Sequence, residues 1–256
     1  MIIQKGTNKY IDSFLHFIKE QDKINIEYFC LESQNRTFQK IDSSTKLSEL
    51  LENAELSNEE ADLLLNYSGF NYKHINAVLR DNWNYEDNGS IEKKEEYKLL
   101  ARRLQQTIMN HPTKLNDNVI TYRGVDLNYF KQYGIESMKE LKELEGKYML
   151  DRGLVSTSVM EDRSFFEKEN DLGLNYNVKI EYYIPCEFRD GIYLRGPISY
   201  TPMQEEFLIN SSNLSKVNSV TINDNNTAVV KTTLIPKELY DDFYKERNNS
   251  CFSNNK

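Results

Sequence analysis

The sequence has few of the residues from which thiol, imidazole and metal sites are built. Its 256 residues include only three cysteines and three histidines, all widely spaced and without a CxxC pattern. A disulfide framework or a zinc site is therefore not expected, and each histidine is expected to be an ordinary structural or surface residue. These residues are Cys30, Cys186, Cys251, His16, His74 and His111.

Long apolar runs, a glycine-rich phosphate loop and an excess of basic charge are also missing. No run approaches the length of a membrane span, and charges interrupt the N-terminal residues 1–21 too often for a signal peptide. The net charge is −8, the isoelectric point is near 5.1 and the mean hydropathy is −0.69. This balance predicts a soluble protein and argues against a nucleic-acid partner.

What the chain does contain is enough apolar and aromatic residues for a sizeable core, at 39% and 12% respectively. Apolar residues recur at helical spacing in segments 8–21, 45–54, 56–69, 70–82 and 90–110. Short runs rich in β-branched and aromatic residues follow at 119–125, 154–159, 176–184, 206–210, 217–222 and 227–235, interrupted by a predicted helix at 137–146. Helices followed by strands predict an α+β fold with a mostly antiparallel sheet or pair of sheets.

The stretch TPMQEEFLIN, residues 201–210, places polar residues directly before an apolar strand. Strand alternation puts Gln204 and Glu206 on one face and Glu205 on the other. An amide and a carboxylate side by side are candidate site residues. Taken alone, the stretch is more typical of a solvated strand end.

Two strand segments carry further candidates. In TYRGV, Arg123 is expensive to bury unless it meets an anion, and Gly124 allows a ligand to approach the backbone. In VSTSV, Ser156 and Ser158 share a strand face and can orient a carboxylate on a neighbouring strand. An edge-strand ion pair and ordinary β-propensity are the alternative readings.

A helical segment carries the remaining pattern. In YSGFNYKHINAVLR, the i, i+4 spacing places Tyr72, Asn76 and Arg80 on one helix face, with Tyr67 one turn earlier. Helix packing and solvent pairing would also produce such a pattern.

The order of these four motifs resembles the Arg–Ser–Glu class of mono-ADP-ribosyltransferases. That class includes the clostridial Rho-modifying exoenzymes and the enzymatic components of actin-modifying binary toxins. The resemblance covers about residues 56–236, and implies helices packed on a mostly antiparallel two-sheet β core. The expected division is an N-terminal helical extension at 1–55, a catalytic domain at 56–240 and a C-terminal tail at 241–256.

The resemblance assigns a role to each strand residue. Arg123 would hold the NAD phosphates through its forked guanidinium, and Gly124 would bring the main chain to the nicotinamide carboxamide. Ser156 would position the catalytic acid. Glu206 would be that acid, binding the ribose 2′-OH and stabilising positive charge on the sugar as nicotinamide departs.

The resemblance also indicates how the protein acceptor is chosen. Members with Gln two residues before the acid usually modify Asn or Gln, and members with Glu there usually modify Arg. Gln204 therefore favours an amide acceptor, and Glu205 would be a non-catalytic, outward residue. Tyr200 would be the exposed aromatic residue that contacts the protein acceptor, although it lies one residue further from Gln204 than expected.

The remaining cofactor-binding assignments follow in the same way. Phe165 would stack on nicotinamide, and Lys168 stands where the family usually has a second phosphate-binding Arg, a change that loses the guanidinium fork. Asn76 and Arg80 would contact the adenine-side ribose and the phosphates. The full NAD-binding set is Arg123, Gly124, Tyr67, Tyr72, Asn76, Arg80, Phe165 and Lys168.

The sequence thus predicts a protein mono-ADP-ribosyltransferase that uses NAD as substrate, needs no metal and acts on a small GTPase or on actin. Arg-specific transfer to actin, NAD hydrolysis and a catalytically silent binding module remain open. By analogy we expect a monomer. Residues 1–55 could dock a translocation partner, and without a signal peptide the choice between delivery into a target cell and the producer's cytoplasm stays open.

Overall fold

The computed structural model describes residues 18–164, 176–200 and 202–242. Two of the predicted NAD-binding residues, Phe165 and Lys168, lie outside the described residues, and so does most of the predicted C-terminal tail. None of the helices in the described ranges is long and apolar enough to cross a lipid bilayer.

The first half of the chain is largely helical, although the helices Glu20–Ser33 and Tyr85–Asn88 were not predicted and most of the predicted segment 8–21 lies outside the described residues. The helices are α1 (Glu20–Ser33), α2 (Ser44–Leu50), α3 (Asn58–Asn66), α4 (Tyr72–Leu79), α5 (Tyr85–Asn88) and α6 (Ile91–Asn110). Helix α6 matches its predicted segment closely, because the Ser90 hydroxyl accepts a hydrogen bond from the Lys93 amide and caps its start.

The connection between α3 and α4 has an unusual geometry. Helix α3 starts at a capping box, in which the Ser57 and Glu60 side chains each accept from the other's backbone amide. A π-helical turn, Tyr67–Asn71, then joins α3 directly to α4. Insertions of this kind are frequent at functional sites. Here the turn places Tyr67 against the sheet, where it is 1% exposed.

The second half supplies most of the strands. They are β1 (Leu51–Glu52), β2 (Lys114–Leu115), β3 (Val119–Val125), β4 (Tyr148–Asp151), β5 (Val155–Ser158), β6 (Val178–Ile184), β7 (Gly191–Leu194), β8 (Glu206–Ile209), β9 (Asn213–Ile222) and β10 (Ala228–Leu234). The predicted helix 137–146 is a 3-10 helix, Met138–Leu144. Strands β1 and β2 form a small separate pair.

The other eight strands form one hydrogen-bonded series in the order β4-β9-β10-β6-β3-β5-β8-β7. All neighbours are antiparallel except β6 and β10, which are parallel. Strands β3 and β5 meet at a single residue pair, Tyr122 and Ser158. The series therefore divides into a five-stranded and a three-stranded part, and the predicted α+β class with a mostly antiparallel core is confirmed.

Two apolar clusters hold these layers together. Helices α3, α4 and α6 pack on the three-stranded part through residues such as Leu64, Leu104 and Leu208. The larger cluster fills the five-stranded part and includes Ile26 and Phe29 of α1. Residues 18–55 thus share a core with the sheet, and the predicted domain boundary at residue 55 stays a prediction.

Candidate active site

A cavity of about 540 Å³ opens where the two parts of the sheet meet. Its walls come from the α3–α4 connection, from β3 and β5, and from the turn before β8. This volume lies in the range of small-molecule and cofactor sites, roughly 300–1,000 Å³. Of the residues predicted for the site, the lining includes Tyr67, Tyr72, Asn76, Arg123, Gly124, Ser156, Tyr200, Gln204 and Glu206.

Glu206 is the acidic residue of this cavity. It is the first residue of β8, is 4% exposed, and lies between Ser158 of β5 and Leu194 of β7 in the sheet register. The hydroxyl of Ser156, one diagonal position away on β5, donates a hydrogen bond to its carboxylate. The expected pairing of Ser156 with Glu206 is therefore present in the geometry.

The environment of Glu206 changes its acidity. Burial raises the pKa of its carboxyl from 4.5 to about 7, while the hydrogen bond from Ser156 and the charge of Arg123 act in the opposite direction. A carboxyl with a pKa close to neutral is typical of catalytic positions. Near neutral pH, Glu206 exchanges readily between its carboxylate and its neutral form.

Arg123 supplies the positive charge. Its guanidinium lies over the ring of Tyr129, 5.2 Å from the ring centroid, and its Nη1 is buried without a hydrogen-bond partner. The buried hydroxyl of Tyr122 next to it is also unpartnered among the described residues. A buried unpaired donor is costly, so the Nη1 of Arg123 fits an anionic ligand such as a phosphate. Gly124 leaves room for the ligand beside Arg123.

Gln204 lines the cavity two residues before Glu206, but it is not part of the strand. A 3-10 turn, Pro202–Gln204, is followed by Glu205 in the left-handed region at φ 48°. The alternation predicted for this stretch therefore begins only at Glu206. A half-buried Glu205 turns away from the cavity to contact Tyr193 and Arg163, so the prediction that it points outward is only partly right.

Ser158 has a role that the sequence pattern did not reveal. Its hydroxyl lies 2.7 Å from the carbonyl of Gln204 and 2.7 Å from that of Met160, and it accepts from the Met160 amide at 3.2 Å. The two serines on one strand face therefore have different contacts. Ser156 contacts the carboxylate of Glu206, and Ser158 contacts the backbone carbonyl of Gln204, two residues earlier.

Tyr67 and Asn76 form part of the cavity wall. The Asn76 amide donates to the Tyr67 hydroxyl at 3.2 Å and accepts from the Leu154 amide at 2.7 Å. Both ends of the Asn76 side chain are thereby engaged within the protein, and this links α4 to the start of β5. Burial and then the charge of Glu206 raise the pKa of Tyr67, which places that hydroxyl close to the acid.

Arg80 lies away from the cavity lining. Its guanidinium donates two hydrogen bonds to the carboxylate of Asp151, at 3.0 and 3.1 Å, and the Tyr129 hydroxyl donates to the same carboxylate at 2.8 Å. Burial by itself raises the pKa of Asp151, but the charge and hydrogen bonds of Arg80 lower it below its usual value. The predicted contact of Arg80 with NAD stays a prediction.

Two aromatic residues stand at the mouth of the cavity. Tyr72 and Tyr200 are 43% and 54% exposed. The Tyr200 amide donates to the Ser68 hydroxyl at 2.7 Å, so this residue lies against the π-helical turn. Tyr200 is therefore accessible to a protein, and its role in acceptor recognition stays a prediction.

Other lining residues were missed by sequence reasoning, among them Tyr129 and Arg163. Both lie on 3-10 helices, Leu127–Tyr133 and Glu161–Arg163, whose periodicity is too short to stand out in the sequence. In the described parts of the chain, no group of three or more His, Cys, Asp or Glu residues could hold a metal ion.

A buried carboxylate held by a serine and faced by an unpaired arginine can stabilise positive charge on a sugar beside a bound phosphate. This chemistry is that of a nucleotide-dependent glycosyl transfer. The chain belongs to the ADP-ribosyltransferase exoenzyme family, whose model matches residues 35–237. It is an NAD-dependent mono-ADP-ribosyltransferase of the toxin type, with NAD as its substrate.

Solved structures show the same fold. C3stau2 from S. aureus, solved with NAD, is 18% identical with a TM-score of 0.59, over 78% of this chain and 99% of that one. Plx2a, an ADP-ribosyltransferase toxin from Paenibacillus larvae, is 25% identical with a TM-score of 0.52, over 70% and 87%. BECa, from a binary enterotoxin of C. perfringens, is 22% identical with a TM-score of 0.54, over 71% and 44%. No curated protein sequence matches this chain significantly.

Proposed function

We propose that this protein transfers ADP-ribose from NAD to a side-chain amide of Asn or Gln on a Rho-type small GTPase. The observation that carries this proposal is the position of Gln204, on the cavity wall two residues before Glu206. An amide there can hydrogen-bond and orient an amide acceptor, whereas a carboxylate would favour a guanidinium.

In this proposal the residues on the strands have separate roles in binding NAD and in cleaving it. Arg123 binds the NAD phosphates with its unpaired guanidinium, and Gly124 leaves space for the nicotinamide end. The ionised carboxylate of Glu206, oriented by Ser156, binds the ribose 2′-OH and faces the developing positive charge. Tyr67, Tyr72, Asn76, Phe165 and Lys168 complete the NAD-binding set, with Arg80 behind them.

The transfer consists of one bond broken and one bond formed. The bond between ribose C1′ and the nicotinamide nitrogen breaks, and nicotinamide leaves as a neutral molecule with the electron pair. The nitrogen of the acceptor amide, held by Gln204, then bonds to C1′ and releases one of its two protons to solvent. Positive charge on the ribose is stabilised by Glu206 throughout, at a distance set by the strand.

A second candidate is Arg-specific transfer to actin, which the likeness to a binary-toxin component favours. NAD hydrolysis with water as the acceptor is the third. In each case we propose that the protein acts after secretion or delivery into a target cell, as a monomer, with residues 1–55 as a candidate docking site for a translocation partner.

The test is incubation of purified protein with labelled NAD and either a Rho-type GTPase, actin or a mammalian lysate. A Glu206→Gln variant serves as the inactive control. Label mapped by mass spectrometry to an Asn or Gln of the GTPase, and absent with the variant, supports the proposal. Label on an actin Arg would replace it with the second candidate.

Two further outcomes would also be decisive. Nicotinamide release without any labelled protein would point to hydrolysis. A Gln204→Glu variant is expected to lose transfer to the amide acceptor, because a carboxylate cannot donate to the acceptor's carbonyl. If this variant modified the same residue at the wild-type rate, Gln204 would have no part in acceptor choice.

A further inference from the structure

Glu205 stands between the two predicted site residues and has an unusual conformation. Its backbone lies in the left-handed region at φ 48°, which a residue with a Cβ rarely adopts without support from its surroundings. Its side chain supplies that support. One carboxylate oxygen accepts from the Tyr193 hydroxyl, and the other lies 3.4 Å from Nη1 of Arg163.

Arg163 contacts the turn on both sides of Gln204. The Nη1 that faces Glu205 also donates to the carbonyl of Met203 at 2.9 Å. Arg163 ends the 3-10 helix Glu161–Arg163 and lines the active-site cavity. One guanidinium therefore ties the residue before Gln204 to the residue after it.

Tyr193, whose hydroxyl donates to the Glu205 carboxylate, is itself held in the apolar core. It lies on β7, is 5% exposed, and belongs to the large apolar cluster. Burial and the hydrogen bond to Glu205 raise the pKa of its hydroxyl, so Tyr193 remains a donor at all pH values relevant to activity. The Glu205 carbonyl is held as well, because it accepts from the Val159 amide at 2.9 Å.

The position of Glu206 depends less on the contacts of the Glu205 side chain with Tyr193 and Arg163. It begins β8, which pairs with β5 on one side and with β7 on the other. Loss of the Glu205 side-chain contacts would therefore move Gln204 more than Glu206.

We propose that Arg163, Glu205 and Tyr193 form a turn clamp that sets the position of Gln204. Glu205 is then a positioning residue for transfer to the protein acceptor, while the cleavage of NAD proceeds without it. This inference rests on the proposed role of Gln204 in binding the acceptor.

Two variants should weaken the clamp while nearly preserving the volume of the substituted side chain. Glu205→Gln removes the charge that faces Arg163, and Tyr193→Phe removes the donor hydroxyl. We expect the kcat/KM for transfer to the protein acceptor to fall on the order of ten-fold, as displaced positioning groups commonly cause. Nicotinamide release in the absence of acceptor, and the KM for NAD, should remain near wild type.

Glu27→Gln is a matched control. Glu27 lies on α1, accepts from the Tyr148 hydroxyl and pairs with Lys216 at 2.7 Å, so the same kinds of contact are removed far from the cavity. This variant should change neither transfer nor nicotinamide release. An equal loss of transfer in the control would attribute the effect to general destabilisation and would overturn the clamp.

Hydrogen exchange provides a readout that needs no acceptor. In Glu205→Gln, the backbone amides of residues 203–205 and of Val159 should exchange faster, while the rest of the sheet is unchanged. Unchanged exchange, or a parallel loss of transfer and nicotinamide release, would overturn the proposal. If wild-type protein modifies no amide, the proposed function fails, but the exchange comparison still decides whether the clamp holds the turn.

Discussion

The Ser156 hydroxyl donates a hydrogen bond to the carboxylate of Glu206 from a neighbouring strand, two residues off the direct register. This contact lowers the pKa of Glu206, which burial has raised, and the balance leaves it at about 7. The serine therefore affects both the orientation and the ionisation of the acid. A substitution at Ser156 should be visible in the pH dependence of activity.

We predict that Ser156→Ala moves the rise of activity with pH to higher values. Without the donor, the pKa of Glu206 should lie above about 7, and a smaller fraction of the enzyme carries the carboxylate near neutral pH. The measurement is the rate of nicotinamide release against pH. Ser156→Thr, which keeps a hydroxyl, should restore much of the wild-type profile. An unshifted profile for the alanine variant would contradict the assignment.

We also predict that Glu206→Gln stabilises the folded protein at alkaline pH while it abolishes NAD cleavage. Because the pKa of Glu206 rises from 4.5 to about 7 on folding, the folded state binds more protons in this window, and its stability falls as pH rises through it. A neutral amide avoids this loss. The gain over wild type should be about 3 kcal/mol at pH 8 and should vanish only below the unfolded pKa, at about pH 4.

Denaturant unfolding of both proteins across this pH range measures the difference in free energy of unfolding. A constant difference between the two proteins at every pH would show that the carboxyl does not titrate as described. Loss of activity alone would not distinguish a catalytic acid from a folding defect. The combination of higher stability and lost activity is expected only for a buried acid whose charge serves the reaction.

Arg123→Lys should weaken NAD binding even though the charge is kept. The Nη1 of Arg123 is buried and unpaired, and an ammonium cannot provide the forked pair of donors that a phosphate accepts. We expect the KM for NAD to rise on the order of ten-fold, with a smaller change in kcat. Steady-state nicotinamide release measures both constants. Arg103→Lys on the exposed face of α6 is the control, since Arg103 pairs with Glu59 on the surface, away from the cavity lining.

Much of the fold was predictable because its periodic patterns are strong. Helix α6 and strand β3 lie within a residue of the predicted segments, since a serine cap and a run of β-branched residues mark their limits. Strands β4 and β7 were not predicted. Their sequences, YMLD and GIYL, are only four residues long and lack the alternation that marks a half-buried strand. The alternation is missing because both strands are covered on their two faces, and only Tyr148 in them is more than slightly exposed.

The candidate site was predictable only where its residues lie on regular strands. Arg123, Ser156 and Glu206 come together because β3, β5 and β8 are adjacent in the sheet. The order of the motifs predicted this grouping only through the family resemblance. The conformation around Gln204 was not predictable, because it depends on tertiary contacts of Glu205 with Tyr193 and Arg163. No local signal identifies such a turn when the residue with positive φ is a glutamate.

Gly153→Ala should destabilise the protein through the pair formed by Arg80 and Asp151. A Cβ at Gly153 would lie 2.7 Å from Cζ of Arg80 and 2.7 Å from Oδ1 of Asn76. Neither side chain can yield easily, since each is held by hydrogen bonds of its own. Overpacking of this kind typically costs about 1–3 kcal/mol, which denaturant unfolding would measure.

A double-mutant cycle with Arg80→Gln tests whether the destabilisation by Gly153→Ala arises from the contact between the new Cβ and the Arg80 side chain. A shorter side chain at position 80 gives the new methyl group room, so Gly153→Ala should cost less in this background than in wild type. Arg80→Gln alone leaves the buried Asp151 without its cation and should be strongly destabilising, by about 3 kcal/mol. Strictly additive effects would mean that the alanine is accommodated by a backbone shift. In that case the start of β5, and Ser156 with it, would move, and nicotinamide release would fall in parallel.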